Sequence, residues 1–296
     1  MKKILIVGCG DIGTLVAKSW LKQQAEVNAL ARSAQAVTRL NQLGITPIAG
    51  DLDQPSSLLG LPAAGAWIYY FAPPPAKGVS DPRMCAFVVA LELMSAPPAG
   101  IVYISTSGVY GDCNGDWVDE NDEPAPVADR ARRRLDAETW LRGYGRNSGV
   151  PVIVLRVGGI YGPGRLPVER LKKGLPVLSL AQSSYTNRIH VDDLVAICVA
   201  AVERGLPDRI YNVCDDAPST MTDYFFAVAD ALGLPRPPEV DLDEARRVMS
   251  AAMLSYLTES RRMLNRRMHE ELGIELHYPD LESGLAGAVA EGQGGS

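Results

Sequence analysis

Residues 3–13 read Lys3-Ile4-Leu5-Ile6-Val7-Gly8-Cys9-Gly10-Asp11-Ile12-Gly13, an apolar run that ends in glycines at GxGxxG spacing. Consecutive Ile, Leu and Val side chains suit a strand buried on both faces, and residues 14–23 behind it have helical composition. A glycine triplet alone is common in turns; between a first strand and a first helix it carries a mechanism. Gly8 permits the tight turn, Gly10 lets the backbone approach a pyrophosphate, and Gly13 lets helix and strand pack closely. The helix N-terminus adds unpaired N–H groups and a positive dipole for the anion. With Asp11 and Ile12, these glycines form the expected phosphate cradle of a dinucleotide-binding fold.

Outward from this motif, apolar β-rich runs recur at 3–7, 26–31, 66–71, 100–105, 152–157 and 209–213, with a short strand closing at Gly50-Asp51-Leu52-Asp53. Helical stretches at 14–23, 34–43, 84–94, 129–142 and 191–203 separate them. Such alternation predicts an α/β fold: a Rossmann-type doubly wound parallel sheet covered by helices on both faces. After Asp215 it stops, and helical patterns at 221–232, 243–257 and 261–272 predict a smaller, mostly helical C-terminal substrate lobe. The expected division is a dinucleotide-binding domain over 1–164, completed by 189–214, and a substrate lobe over 165–188 and 215–290. A disordered tail is expected at 291–296.

Composition narrows the function classes. The chain has 296 residues, 47% hydrophobic and 22% charged, enough apolar surface for a sizeable core and no run of membrane-spanning length. A net charge of -6 argues against a nucleic-acid partner, which would need clustered cations. Arg132-Arg133-Arg134, Arg261-Arg262 and Arg266-Arg267 have acidic neighbours and read as solvated helix faces. Five cysteines without a CxxC pair speak against a zinc site or disulfide framework, and three histidines against a histidine-rich metal centre. Met1-Lys2-Lys3 opens into a strand rather than a leader, so a reducing cytoplasm is the expected compartment.

The second strand bears on which dinucleotide binds. NAD sites usually place Asp or Glu about 20 residues past the glycines, but here the strand ends Asn28-Ala29-Leu30-Ala31-Arg32-Ser33. Arg32 and Ser33 offer a guanidinium and a hydroxyl to a 2′-phosphate, which favours NADP over NAD. The alternative is a solvated Arg32 that stacks on adenine in either cofactor. Asp51 and Leu52 are expected to bracket the adenine, or Asp51 to serve a turn.

Further motifs follow in order. Ile104-Ser105-Thr106-Ser107-Gly108-Val109-Tyr110-Gly111 closes the fifth major strand, and Val154-Leu155-Arg156 precedes Ile160-Tyr161-Gly162-Pro163-Gly164. Arg188-Ile189-His190-Val191-Asp192-Asp193-Leu194 and Ile210-Tyr211-Asn212-Val213 complete the set. In these motifs the chain resembles the extended short-chain dehydrogenase/reductase superfamily, the branch of NAD(P)-dependent nucleotide-sugar epimerases and dehydratases. The resemblance implies further cofactor contacts from Ala72 and Pro73 after the fourth strand, from Val157, and from Thr106 and the Lys position of a Tyr-xxx-Lys helix. It also implies catalysis by a Ser or Thr, a Tyr and that Lys. Thr106 keeps the hydroxyl position. Aligning the helix on Glu138 puts Arg130 in the tyrosine slot and Arg134 in the lysine slot.

An arginine stays protonated, so Arg130 cannot exchange a proton as a tyrosine does. Arg134 can hydrogen-bond the ribose as a lysine would, or pair with Glu138 at i,i+4. Other candidates are weaker. Tyr161 belongs to a Tyr-Gly-Pro-Gly turn, Tyr110 is similar, and Cys113 is a lone loop thiol. His190 is expected to support the following helix start, with Asp192 and Asp193 capping it. Arg130, Arg165 and Arg188 are expected to face the substrate cleft and favour an anionic ligand. Asn187-Arg188 is out of register with the family's phosphate-binding arginine, which argues against a nucleotide diphosphate. Two function classes stand: an NADP-dependent oxidoreductase or epimerase-like enzyme on a polar, anionic small molecule, and a catalytically silent dinucleotide-binding sensor. The expected partner is a small-molecule substrate, without nucleic acid or membrane. The resemblance adds a homodimer through two helices, one of which carries Arg132 and Arg133.

Overall fold

Strand β1 (Lys3–Val7) is the centre of the architecture: Ile4, Leu5, Ile6 and Val7 are all fully buried. The computed structural model describes residues 1–286, so the tail expected at 291–296 lies outside the described residues. Around β1 stand β2 (Glu26–Ala31), β3 (Thr46–Ala49), β4 (Trp67–Tyr70), β5 (Gly100–Thr106) and the strands Val152–Val157 and Arg209–Val213. All are parallel, in the spatial order Arg209–Val213, Val152–Val157, β5, β4, β1, β2, β3. The strand order reverses between β1 and β4, which opens a crevice at the carboxyl ends of these two strands, where ligands bind in such sheets.

Helices cover both faces. α1 (Asp11–Lys22) and Val191–Arg204 pack one face, through Val16, Trp20, Leu194 and Ile197. α3 (Pro82–Glu92) and α4 (Asp129–Ser148) pack the other through Phe87, Leu91, Leu141 and Tyr144, and α2 (Ala34–Gln42) flanks β2 and β3. α4 runs past the expected end at Arg142, because Gly143 and Gly145 do not break it. A side chain at Gly145 would collide with Val152, so this glycine allows close helix–strand packing, and the helix stops at Gly149 with φ +74°.

The C-terminal lobe is more finely divided than its composition suggests. The expected helix 243–257 is two helices, Leu242–Val248 and Ala251–Leu257, broken where Met249 turns extended and Ser250 caps the second. The expected helix 261–272 begins instead as a strand, Arg262–Met263, paired with Trp117–Val118, and only Arg266–Leu272 is helical. No helix among the described residues is long and apolar enough to cross a membrane.

One buried ion pair joins α4 to the sheet. Glu138 receives hydrogen bonds from Arg156 at 2.9 Å and from Ser105 Oγ, and both charged side chains are almost fully buried. Arg134 is therefore not the partner of Glu138. The Arg156 guanidinium lies 4.8 Å from the centre of the Tyr110 ring, and Tyr110 donates to Asn212 Oδ1 at 2.7 Å. Asn212 in turn donates to the Leu264 carbonyl, tying the lobe to the last sheet strand. Glu138→Gln is expected to cost about 3–5 kcal/mol of unfolding free energy in urea denaturation, because it leaves Arg156 buried without a counter-charge. Replacing both residues, by Leu and Met, should recover most of that loss. A loss below about 1 kcal/mol for the single variant would show that the pair does not hold α4 in place.

Candidate functional site

The glycine loop has the form its spacing predicts. Gly8 sits at φ +99°, and a side chain there would overlap the backbone of Ala72. A Cβ on Gly10 would meet nothing within 4 Å, whereas one on Gly13 would lie 2.7 Å from the Gly8 carbonyl oxygen. The first and third glycines thus hold the turn against helix and sheet, while the second leaves open space at the N-terminus of α1. These residues fit a dinucleotide pyrophosphate. Arg39 braces the loop by donating to the Cys9 carbonyl and to Thr14 Oγ1.

Beside the loop lies a cavity of about 180 Å³ lined by Gly8, Leu30, Arg32, Gly50, Asp51, Leu52, Ala72, Pro73 and Arg83. Six residues expected at the cofactor therefore line one adenosine-sized pocket, with Arg32 exposed at its rim. Asp51 also makes a turn, accepting from the Asp53 N–H at 3.0 Å. Arg83 forms a wall that the sequence reading missed. It donates to both Asp53 carboxylate oxygens at 2.6–2.7 Å and to the Pro73 carbonyl. Those hydrogen bonds hold the Asp53 carboxyl below the usual carboxylate range. Ser33 is engaged elsewhere: its hydroxyl caps α2 by accepting from the Ala36 N–H.

Pro73 also borders a second, larger cleft of about 410 Å³, so the two spaces adjoin. Thr106, Arg130 and Arg134 all line it, as expected, together with Arg133, Arg188 and Arg261. Thr106 accepts from the Gly108 N–H at 3.2 Å, which fixes its rotamer at the end of β5. Arg134 donates to the Ile104 carbonyl at 2.9 Å rather than lying free on the helix. Arg130 stacks 3.9 Å from the centre of the Tyr256 ring and lies 3.7 Å from Glu259, so neither Asp129 nor Asp136 is its ion-pair partner. Arg188 fills a slot between Gly159 and the Tyr224 ring, whose centre is 3.5 Å away. Behind it, burial pushes the Asp215 carboxyl up to about 8.

Several expectations need correction. Tyr161 does not reach the cleft: it is fully buried beside His190, donates to the Asp280 carbonyl at 3.0 Å, and is covered by Gly284. Burial also pushes its hydroxyl pKa upward, away from acid–base use. Tyr110 is likewise buried. Val157 packs into the core, and Gly158 and Gly159 form the cleft wall at the end of that strand. Arg165 turns to Asp11 at 3.4 Å, above the glycine loop and outside the cleft. Asp193 does not cap its helix; His190 does, accepting from the Asp192 N–H. The two Asp193 carboxylate oxygens instead accept from the N–H groups of His277 and Tyr278, each at 2.9 Å. Burial raises the pKa of the half-buried Cys113 thiol, whose contacts are the carbonyls of Tyr110 and Gly111.

Arg133 and Arg261 are not solvated: they are 7% and 9% exposed and line the cleft. The first was legible, since Arg130, Arg133 and Arg134 stand at i, i+3 and i+4 on one helix face. Tyr185, Tyr256 and Glu259, also at the cleft, come from the lobe and had no local signal.

Comparison with known proteins agrees with this geometry. Protein YeeZ of Escherichia coli (strain K12) is 26% identical over 292 residues, spanning 95% of this chain and 97% of that protein. A conserved protein of unknown function from Silicibacter pomeroyi DSS has TM-score 0.84 at 30% identity, over 98% of this chain and 99% of that one. UDP-glucuronic acid 4-epimerase from Bacillus cereus, solved in complex with NAD, shares the fold at TM-score 0.75 and 18% identity, over 97% of each chain. The model of the NAD dependent epimerase/dehydratase family matches residues 4–214, from β1 to the end of the last sheet strand. The chain belongs to the NAD-dependent epimerase/dehydratase family, as an atypical member whose α4 carries no Tyr-xxx-Lys pair.

Proposed function

We propose that the protein is a nicotinamide-dependent oxidoreductase, epimerase-like in architecture, which prefers NADP and acts on a polar, anionic small molecule. The observation that carries this reading is the charge of the larger cleft. Five arginines and a single carboxylate, Glu259, line it among the described residues, directly beside the dinucleotide crevice. Arg32 at the adenosine rim, with no carboxylate at the tip of β2, supports the NADP preference.

The bound cofactor supplies or accepts hydride; the chain binds, orients and polarises. Thr106 uses a lone pair on the Gly108 N–H, which leaves its hydroxyl proton for a substrate oxygen. Arg134 holds positive charge where the family has its lysine. Arg130 cannot transfer a proton, but it stabilises negative charge developing on a carbonyl oxygen. The phenol stacked on it, Tyr256, brings a proton donor into the cleft from the lobe. The competing reading, a silent dinucleotide sensor, rests on the arginine in the tyrosine slot. NADPH turnover with a panel of carbonyl acids, set against equilibrium binding, separates the two.

Three outcomes are expected. Arg32→Ala should weaken NADP by about 1.5–3 kcal/mol, the range for a charged hydrogen bond, and leave NAD unchanged in fluorescence titration. Equal losses would withdraw the NADP preference. Tyr256→Phe should lower kcat at least about tenfold with NADP affinity intact; unchanged kcat would remove Tyr256 from the chemistry.

The third concerns pH. Asp215 faces Arg188, which pulls its pKa down, and Asp216 and Asp280, which add to the rise caused by burial. Below about pH 8 its carboxyl is neutral and the Arg188 charge is left for a ligand. Anion affinity measured by calorimetry should therefore fall from about pH 7 to about pH 9. That fall should disappear in Asp215→Asn; identical profiles would show that Asp215 does not act on the site.

A further inference from the structure

Arginines that line a cleft are usually exposed or paired; here three of them are neither fully. Arg133, Arg188 and Arg261 are 7%, 6% and 9% exposed, and the Nε of each has no hydrogen-bond partner. Glu259 serves one side of the cleft: it pairs with Arg261 at 3.1 Å and lies 3.7 Å from Arg130. Arg133 and Arg188 have no carboxylate within ion-pair distance among the described residues. Arg133 donates to the Gly78 carbonyl, and Arg188 to Thr186 Oγ1 and Met221 Sδ against the Tyr224 ring. Each is a buried cation whose hydrogen-bond partners are neutral, with the Asp215 carboxyl facing Arg188, an arrangement that costs stability unless something of opposite charge arrives.

These two cations stand on different elements, Arg133 on α4 and Arg188 on the strand Arg188–His190. Resting on the reading of the cleft as an anion site, we propose that its substrate carries two separate anionic groups on a short chain, the chemistry of a dicarboxylate. One group is held by Arg188 and the other by Arg133. Guanidinium forks match carboxylates in a bidentate fashion, and both arginines line the cleft. Size points the same way. The cleft, at about 410 Å³, must also admit the nicotinamide end of the cofactor. Ligand pockets run from about 300 to 1,000 Å³, and a short-chain diacid fits beside the nicotinamide in a cleft of this size.

The test uses the whole protein saturated with NADP. Four- to six-carbon dicarboxylates, including glutarate, are compared with their monomethyl esters and with inorganic phosphate, by thermal shift and calorimetry. The expected result is that at least one dicarboxylate binds about tenfold or more tightly than its ester or phosphate. Esters or phosphate binding as well as the diacids would overturn the two-anion inference while sparing the anion site. No binding by any of these anions, with NADP still bound, would overturn both.

Variants provide a second readout. Arg188→Met and Arg133→Met should each lose the dicarboxylate shift and keep NADP binding. Their unfolding midpoints without ligand should equal or exceed wild type, because an uncompensated buried charge is gone. A lowered midpoint with the dicarboxylate response retained would make these arginines structural and the proposal wrong.

Discussion

The site depends on one buried ion pair between helix and sheet, Glu138 with Arg156. Two charges removed from water are stable only with close geometry, and here Nε and Nη2 of Arg156 both donate to the Glu138 carboxylate, so the pair tolerates little displacement. Ser105 completes the acceptor set of Glu138 from β5. This fixes both the rotation and the height of α4 over the sheet, and with them the face that carries Arg130, Arg133 and Arg134. The same guanidinium supports Tyr110, and through it Asn212 and the Leu264 carbonyl. Helix, sheet and lobe thus meet in one polar network beneath the cleft.

What could be read from the chain was what local chemistry determines. The glycine loop, the alternation of strands and helices, and most of the adenosine pocket follow from spacing, because strand, turn and helix are neighbours in sequence. The partner of Glu138 was not readable that way. Arg134, one helical turn earlier, was the local candidate, yet Arg156 on a strand takes it. Arg133 and Arg261 sit in charge-rich stretches typical of solvated surface, but the fold brings Gly78 onto the first and Gly111 and Glu259 onto the second. Tyr161 failed as a candidate for a related reason: its position at a strand end is right for catalysis, but residues 280–284, more than a hundred positions away, cover it. The helix break at Met249 leaves no mark in composition at all.

The chain as a whole is acidic, at -6, while its cleft is cationic. That contrast has a physical effect independent of the reaction. Low-dielectric walls focus the field of the arginines toward the opening, so small anions concentrate there while the outer surface repels polyanions. Arg130 and Arg134 extend the same field along α4 to the end of β5.

The Asp193 carboxylate, which takes the N–H groups of His277 and Tyr278, also sets an order of events during synthesis on the ribosome. Domains fold as their chains emerge, N-terminal parts first, and the seven strands of the sheet are complete at Val213. Tyr256, Glu259 and Arg261 follow only later, and the segment that fastens to Asp193 later still. The nascent chain therefore holds all seven sheet strands before the residues that close this side of the cleft have been made. Arg261, which lies opposite α4 across the cleft, joins Arg133 and Arg188 only when that late segment folds onto the sheet.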